Sequence, residues 1–201
     1  MPLAVFTAPL MALAVAFPFL FQYTQPPSTN FWPLMAAGLC GWLVAIAWGA
    51  RSACCAPTDR GAGGDRAEMA VWLSAGLLLA ALLASAIGLL QYFGAATGLE
   101  PWVHPSRPGQ AMGNLRQRNQ QATLLSMGLW ALFWAAAQTQ RQLLVDGRGQ
   151  AGDAAAVRHT GGRPWLVGLA GVLMAWALAL LAAGIAATAS RTGLAQWCVI
   201  G

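Results

Sequence analysis

The chain contains no lysine, and no charged side chain of either sign occurs before Arg51. Only 8% of its 201 residues are charged, against 58% hydrophobic. A soluble domain carries about 25% charged residues, so this chain has too little charge to cover a surface facing water. The 4 cysteines include no CxxC pair and no His/Cys spacing suited to zinc. Cys40 and Cys198 fall within apolar stretches, where a thiol behaves as a small hydrophobe. Cys54 and Cys55 are adjacent in a segment assigned below to the cytoplasm, where reducing conditions argue against a structural disulfide. No Walker A or dinucleotide glycine pattern occurs, so an ATP-driven pump or a redox enzyme has no support. Neither a cofactor nor a metal is expected.

What the chain has in place of charge is apolar length. Mean hydropathy is +0.56. Residues 1–50, 69–99, 119–140 and 164–190 are free of charge, and the polar run Gln22–Asn30 divides the first of these. A helix needs about 20 residues at ~1.5 Å each to cross a hydrocarbon core of ~30 Å. The spacing predicts helices near 3–21, 31–49, 69–93, 120–137 and 165–188. The fold class is therefore all-α and polytopic, with about five full spans and the start of a sixth, residues 1–201 forming one transmembrane domain. Pro9 and Pro18 are expected to bend the first helix. Pro33 and Pro164 sit at helix starts, where a missing N–H costs little. The first span lacks the basic n-region of a signal peptide and is read as a retained helix.

The arginines set the orientation. With the N-terminus in the cytoplasm, the inner loops hold Arg51, Arg60, Arg66, Arg141, Arg148, Arg158 and Arg163, and the outer loops hold Arg107, Arg116, Arg118 and Arg191. This excess inside agrees with the positive-inside rule. The inner segments Thr58–Asp65 and Asp146–Gly162 are rich in Gly, Ala and Asp and read as linkers. Small-residue runs such as Ala80-Ala81 and Ala182-Ala183-Gly184 permit close helix packing. A sequence pI of about 9.7 does not imply nucleic acid, because the arginines are dispersed among membrane loops.

Topology gives no reason for the four outer arginines. Arg107, in the Pro-rich stretch Pro101-Trp-Val-His-Pro-Ser-Arg-Pro108, reads as an interfacial anchor that snorkels to lipid phosphates beside Trp102. Arg116, Arg118 and Arg191 lie instead at the ends of apolar spans, among amides and hydroxyls suited to a polar or anionic group. A helical 114–120 would place Arg116 with Asn119 and Gln120 and turn Arg118 away; an extended one would project both arginines to the same side. Pro108, Gly109 and Gly113 favour an extended lead-in, with the helix starting near Asn119 as its N-cap. A helix N-terminus beside two arginines suits phosphate.

Three stretches carry a resemblance: Gly88-Leu-Leu-Gln-Tyr-Phe-Gly94, then Gly113-Asn-Leu-Arg-Gln-Arg-Asn-Gln-Gln-Ala-Thr123 opening a helix, then Ala189-Ser-Arg-Thr-Gly193 after the next span. In this order they resemble the first half of the O-antigen ligase-like membrane superfamily, which includes O-antigen ligases, O-antigen polymerases and bacterial pilin or protein O-oligosaccharyltransferases. The Asn-Leu-Arg-Gln-Arg-Asn-Gln form looks most like the protein-glycosylating branch. The resemblance implies a multi-pass enzyme of the bacterial inner membrane. Its reaction would move a preassembled glycan from undecaprenyl pyrophosphate to a periplasmic acceptor, either a pilin-like protein or lipid A core. Arg116, Arg118 and Arg191 would bind the pyrophosphate, with Asn119 and Gln120 adding hydrogen bonds to phosphate or sugar. An O-antigen polymerase, and a non-enzymatic transporter or scaffold that binds anionic membrane lipid, are the alternatives.

The chain departs from that family in length. Members carry further helices and a large periplasmic loop with a histidine that activates the acceptor. Here Thr192 to Gly201 spans only ~15 Å as a helix, about half a bilayer. The expectation is a C-terminally truncated fragment with no catalytic residue of its own and no transferase activity in isolation. His104, before Pro105, reads as an interfacial loop histidine, and His159 falls in a cytoplasmic loop.

Overall fold

A computed structural model describes residues 2–23, 31–54, 62–150, 164–189, 195 and 198–199. It contains five α-helices, α1 (Pro2–Leu20), α2 (Phe31–Cys54), α3 (Ala62–Tyr92), α4 (Arg118–Gln150) and α5 (Pro164–Thr188), and no strand among the described residues. Among the described residues, three helical segments are long and apolar enough to cross a membrane: Phe31–Ala50, Glu68–Tyr92 and Gly168–Thr188. Pro9–Leu20 of α1 is a shorter apolar helix. Helix α1 continues through both Pro9 and Pro18, and α5 opens on Pro164, where no intrahelical donor is needed.

Helices outrun the charge-free stretches that predicted them. Residues 50–54, 62–68 and 138–150 are helical although they lie outside the expected spans. Loss of apolar character marks where hydrocarbon ends, but it does not break an i to i−4 hydrogen-bond ladder.

Helix α3 is central. It packs on α1, α4 and α5, while α2 lies against α1. The core is built from small residues on α3 (Ala80, Ala81, Ala84) and larger ones on its neighbours (Leu124, Leu125, Leu129, Leu181, Ile185). A side chain at Gly128 would collide with Ala81, and one at Gly184 would collide with Ser85. Glycine at those points lets α4 and α5 approach α3 closely, the usual way helices associate where lipid supplies no hydrophobic drive. Ser85 fixes the α5 contact by donating its hydroxyl to the Leu180 carbonyl at 2.7 Å.

Large apolar side chains point outward. Trp42 is 71% exposed and Trp176 62%, with Leu34, Ile46 and Val172 similarly placed. Their exposure over an alanine-lined core requires an apolar solvent around the bundle.

Candidate functional site

The last four carbonyls of α3 are all met by the loop that follows. Phe93 N–H donates to Leu89 O (3.0 Å), Ala95 N–H to Leu90 O (2.8 Å), Gly94 N–H to Gln91 O (3.1 Å) and Gly109 N–H to Tyr92 O (2.8 Å). Helix ends leave these groups without intrahelical partners, and here they anchor residues 93–117.

Two buried amides organise the rest of that loop. Gln91, in the last turn of α3, accepts through Oε1 from the N–H groups of Met112 (3.1 Å) and Gly113 (2.7 Å). Its Nε2 donates to the carbonyls of His104 (2.8 Å) and Gly113 (3.3 Å). Both amide hydrogens and the oxygen are in use. Asn114 repeats the device. Its Nδ2 donates to Leu20 O at 2.7 Å and Trp102 O at 2.9 Å, and its Oδ1 accepts from His104 N–H at 3.0 Å. Leu20 ends α1, so Asn114 ties the loop to a second helix.

Gly113 has φ +60°, and the space a side chain would need is filled by Gln121. Gln121 is fully buried and donates from Nε2 to Ala84 O at 2.7 Å. Arg116 also adopts the left-handed conformation, with φ 61°, at a cost of about 1–2 kcal/mol for a residue with a Cβ. Residues 113–116 are thus a turn, neither helical nor the expected extended lead-in. With the backbone clamped at Gly113 and Asn114, the chain has only three residues in which to redirect into α4. A strained backbone at a polar cleft points to function.

That turn delivers Arg116, half-buried, to a cleft of about 410 Å³. Gln120, Asn114 and Gln22 are its other polar lining residues, and Phe21 and Pro33 are among its apolar walls. The cleft lies where the end of α1, the start of α2 and the turn before α4 meet. An apolar groove of about 690 Å³ runs between α1, α2 and α3, lined by Leu13, Phe17, Leu39, Leu43 and Leu79 among others. Phe21 borders both cleft and groove.

The expected site residues separate in space. Arg116 and Gln120 share the cleft. Arg118 is exposed on the first residue of α4, and Asn119 is exposed beside it; neither lines the cleft. Arg191 and His159 lie outside the described residues. Asn119 is not the N-cap: α4 begins at Arg118, and Gln117 precedes it with its carbonyl accepting from Gln121 N–H at 2.9 Å. Asn119 sits in the first turn, its carbonyl accepting from Thr123 Oγ1 at 2.9 Å. Arg107 borders a separate shallow hollow with Pro105, Ser106 and Gln110. His104 is half-buried. Burial and the positive charge of Arg116 push its pKa below the ordinary histidine value, with Glu100 opposing them.

Residues 111–134 match the family described as protein glycosylation ligase. The matched stretch contains Asn114, Arg116, Gln120 and Gln121 and the apolar first half of α4, so it coincides with the turn that feeds the cleft. No curated protein and no solved structure matches the chain.

Sequence reading did not single out Gln91, Gln22 or Asn114 for a role. Gln91 and Asn114 stand inside the quoted motifs; Gln91 is a lone amide within an apolar run, which was the available signal, whereas Asn114 is one of five amides in its motif. A buried amide needs partners, and those partners were a loop still to be folded.

Proposed function

We propose that this chain is a membrane glycosylation ligase that receives a preassembled glycan on undecaprenyl pyrophosphate for transfer to a protein acceptor. The observation that carries the reading is the convergence of Arg116 and Gln120 on one cleft, inside the stretch that matches the protein glycosylation ligases. A leaving pyrophosphate gains negative charge, and a fixed guanidinium stabilises that charge without reorganisation. Gln120 adds a neutral donor beside it. The apolar groove that meets the cleft at Phe21 suits the lipid end of such a donor. In this reading the cleft faces the periplasm of a bacterial inner membrane, with the N-terminus in the cytoplasm.

Binding of a labelled polyprenyl-diphosphate glycan to the chain in lipid nanodiscs tests the reading. Arg116→Lys keeps the charge and loses the planar fork. Losing one charged hydrogen bond costs about 1.5–3 kcal/mol, roughly ten- to a hundredfold in affinity. Arg107→Lys, at the separate hollow, is expected to bind as wild type does. Equal loss in both variants, or equal competition by an anionic phospholipid, would point to a lipid-binding scaffold and sink the ligase reading.

A further inference from the structure

Farther along α3 and α4 from the Arg116 cleft, the two helices leave between them a hollow of about 250 Å³. Ser74 on α3 and Trp134 and Gln138 on α4 line it, each half-buried. None of the three side chains has a hydrogen-bond partner among the described residues. The polar side-chain atoms that are both buried and unpartnered among those residues belong to Gln22 and Gln121. Those of Ser74, Trp134 and Gln138 are therefore within reach of a molecule in the hollow. Two transmembrane helices thus present three neutral hydrogen-bonding groups to one space, and hydrocarbon alone would leave all three unmet.

Depth gives the hollow its meaning. The loop 93–117 joins the end of α3 at Tyr92 to the start of α4 at Arg118, so both helices are measured from the same side. By helical rise, Leu78 and Ala131 of the lining lie about 20 Å from that side, Trp134 about 24 Å, Ser74 about 27 Å and Gln138 about 30 Å. A hydrocarbon core is ~30 Å thick. Arg141 follows at about 35 Å, just beyond it. It is exposed and has no ion-pair partner among the described residues. Helical spacing sets Trp134, Gln138 and Arg141 on one stripe of α4. The stripe and the hollow beside it therefore grade from apolar, through neutral donors, to a cation as they cross the far boundary of the hydrocarbon.

A phospholipid grades in the same order: acyl chains, ester carbonyls, phosphate. Ester carbonyls only accept, which suits the Ser74 hydroxyl, the Trp134 Nε1–H and the Gln138 amide N–H, and the phosphate suits a guanidinium. We infer that the hollow between α3 and α4 binds one glycerophospholipid of the leaflet opposite the Arg116 cleft. Ser74, Trp134 and Gln138 hold its ester carbonyls, and Arg141 holds its phosphate. Lipid that merely coats the bundle needs only the exposed apolar side chains described above and has no use for these donors. The site is separate from the donor cleft and does not depend on which way the chain crosses the membrane.

The experiment adds two lipids to the delipidated 201-residue chain in detergent and reads the first bound lipid by native mass spectrometry. One is phosphatidylglycerol with two ester-linked chains, and the other is its dialkyl ether analogue, which keeps the phosphate and lacks both carbonyls. Wild type is expected to bind the ester lipid about tenfold more tightly. Gln138→Leu should narrow that preference by weakening the ester lipid alone. Ser74→Ala should do the same to a smaller degree, and serves if the first variant is not recovered monodisperse. Arg141→Gln should weaken both lipids alike, by about tenfold or more. Trp42→Leu, on an exposed face of α2, should bind as wild type does. Equal wild-type affinities for the two lipids, or a full preference retained by both Gln138→Leu and Ser74→Ala, would overturn the site and leave the hollow to coating lipid or to another helix packed against it. Unchanged binding in Arg141→Gln would overturn the placing of the phosphate.

Discussion

Gln91 clasps Gly113 on both sides of one residue, accepting from its N–H at 2.7 Å and donating to its carbonyl at 3.3 Å. The relationship spans most of the loop that carries Arg116 and is made in a buried setting, where each broken bond strands a polar group. Gln91→Leu is therefore expected to destabilise the protein by about 3 kcal/mol or more. Thermal unfolding in detergent would show it, and a melting temperature equal to wild type would contradict the clamp. Gly113→Ala should fall with it, since the new Cβ meets Gln121. Gly109→Ala, where φ is +82° but nothing lies within 4 Å, should lose only the backbone term of about 1–2 kcal/mol.

Arg116 holds a left-handed backbone for the sake of where its side chain goes. Arg116→Gly and Arg116→Ala both remove the guanidinium, and both should lose binding of a lipid diphosphate. They differ in the backbone, where glycine accepts φ 61° without the Cβ penalty. The glycine variant should be more stable than the alanine variant by about 1 kcal/mol. An alanine variant at least as stable would show that the turn is not strained.

The sequence made the helices legible because hydrocarbon leaves a long record: stretches without charge bounded by Glu68, Glu100, Arg118, Arg141 and Arg163. It drew attention to Arg116 and Gln120, which line one cleft, because a cation and an amide at the mouth of an apolar span are costly without a partner. It did not locate the cleft. The bonds from Gln91 to Gly113 and from Asn114 to Leu20 join residues 22 and 94 positions apart, and no local pattern encodes such pairings. The reversal at 113–116 was equally hidden, because Arg is an improbable left-handed residue and only its surroundings impose that φ.

His104 gives the fold a pH dependence of known sign. Its folded pKa lies below the ordinary value of about 6.5, from burial and from Arg116. The unfolded chain therefore binds more protons between the folded pKa and about 6.5. Stability is full above that value and falls as pH drops through the window. Melting temperature measured from about pH 8 to about pH 5 should decline on the acid side, and His104→Gln should remove part of the decline. Arg116→Gly should also flatten it by withdrawing the neighbouring charge. A profile unchanged by His104→Gln would assign the acid sensitivity elsewhere.

Orientation is open to a direct labelling test. With the N-terminus in the cytoplasm, a cysteine at Ser106 should react with an impermeant maleimide in intact spheroplasts, and one at Gly149 should not. Ser106 is only half-buried, so a lack of reaction there would reflect sidedness. The reverse pattern would place Arg116 in the cytoplasm and remove the periplasmic site.

The bond from Asn114 to Leu20 has a mechanical consequence. One amide joins the tail of α1 to the carbonyl of Trp102 and to the turn that bears Arg116, so two walls of the cleft are riveted rather than hinged. On the proposed donor-binding reading, a head group arriving from the bilayer would meet a gauge of set width instead of a closing jaw. Little ordering is left to be done on arrival. Anything that works the rivet loose, heat or harsh detergent included, should widen the cleft before it unwinds a helix.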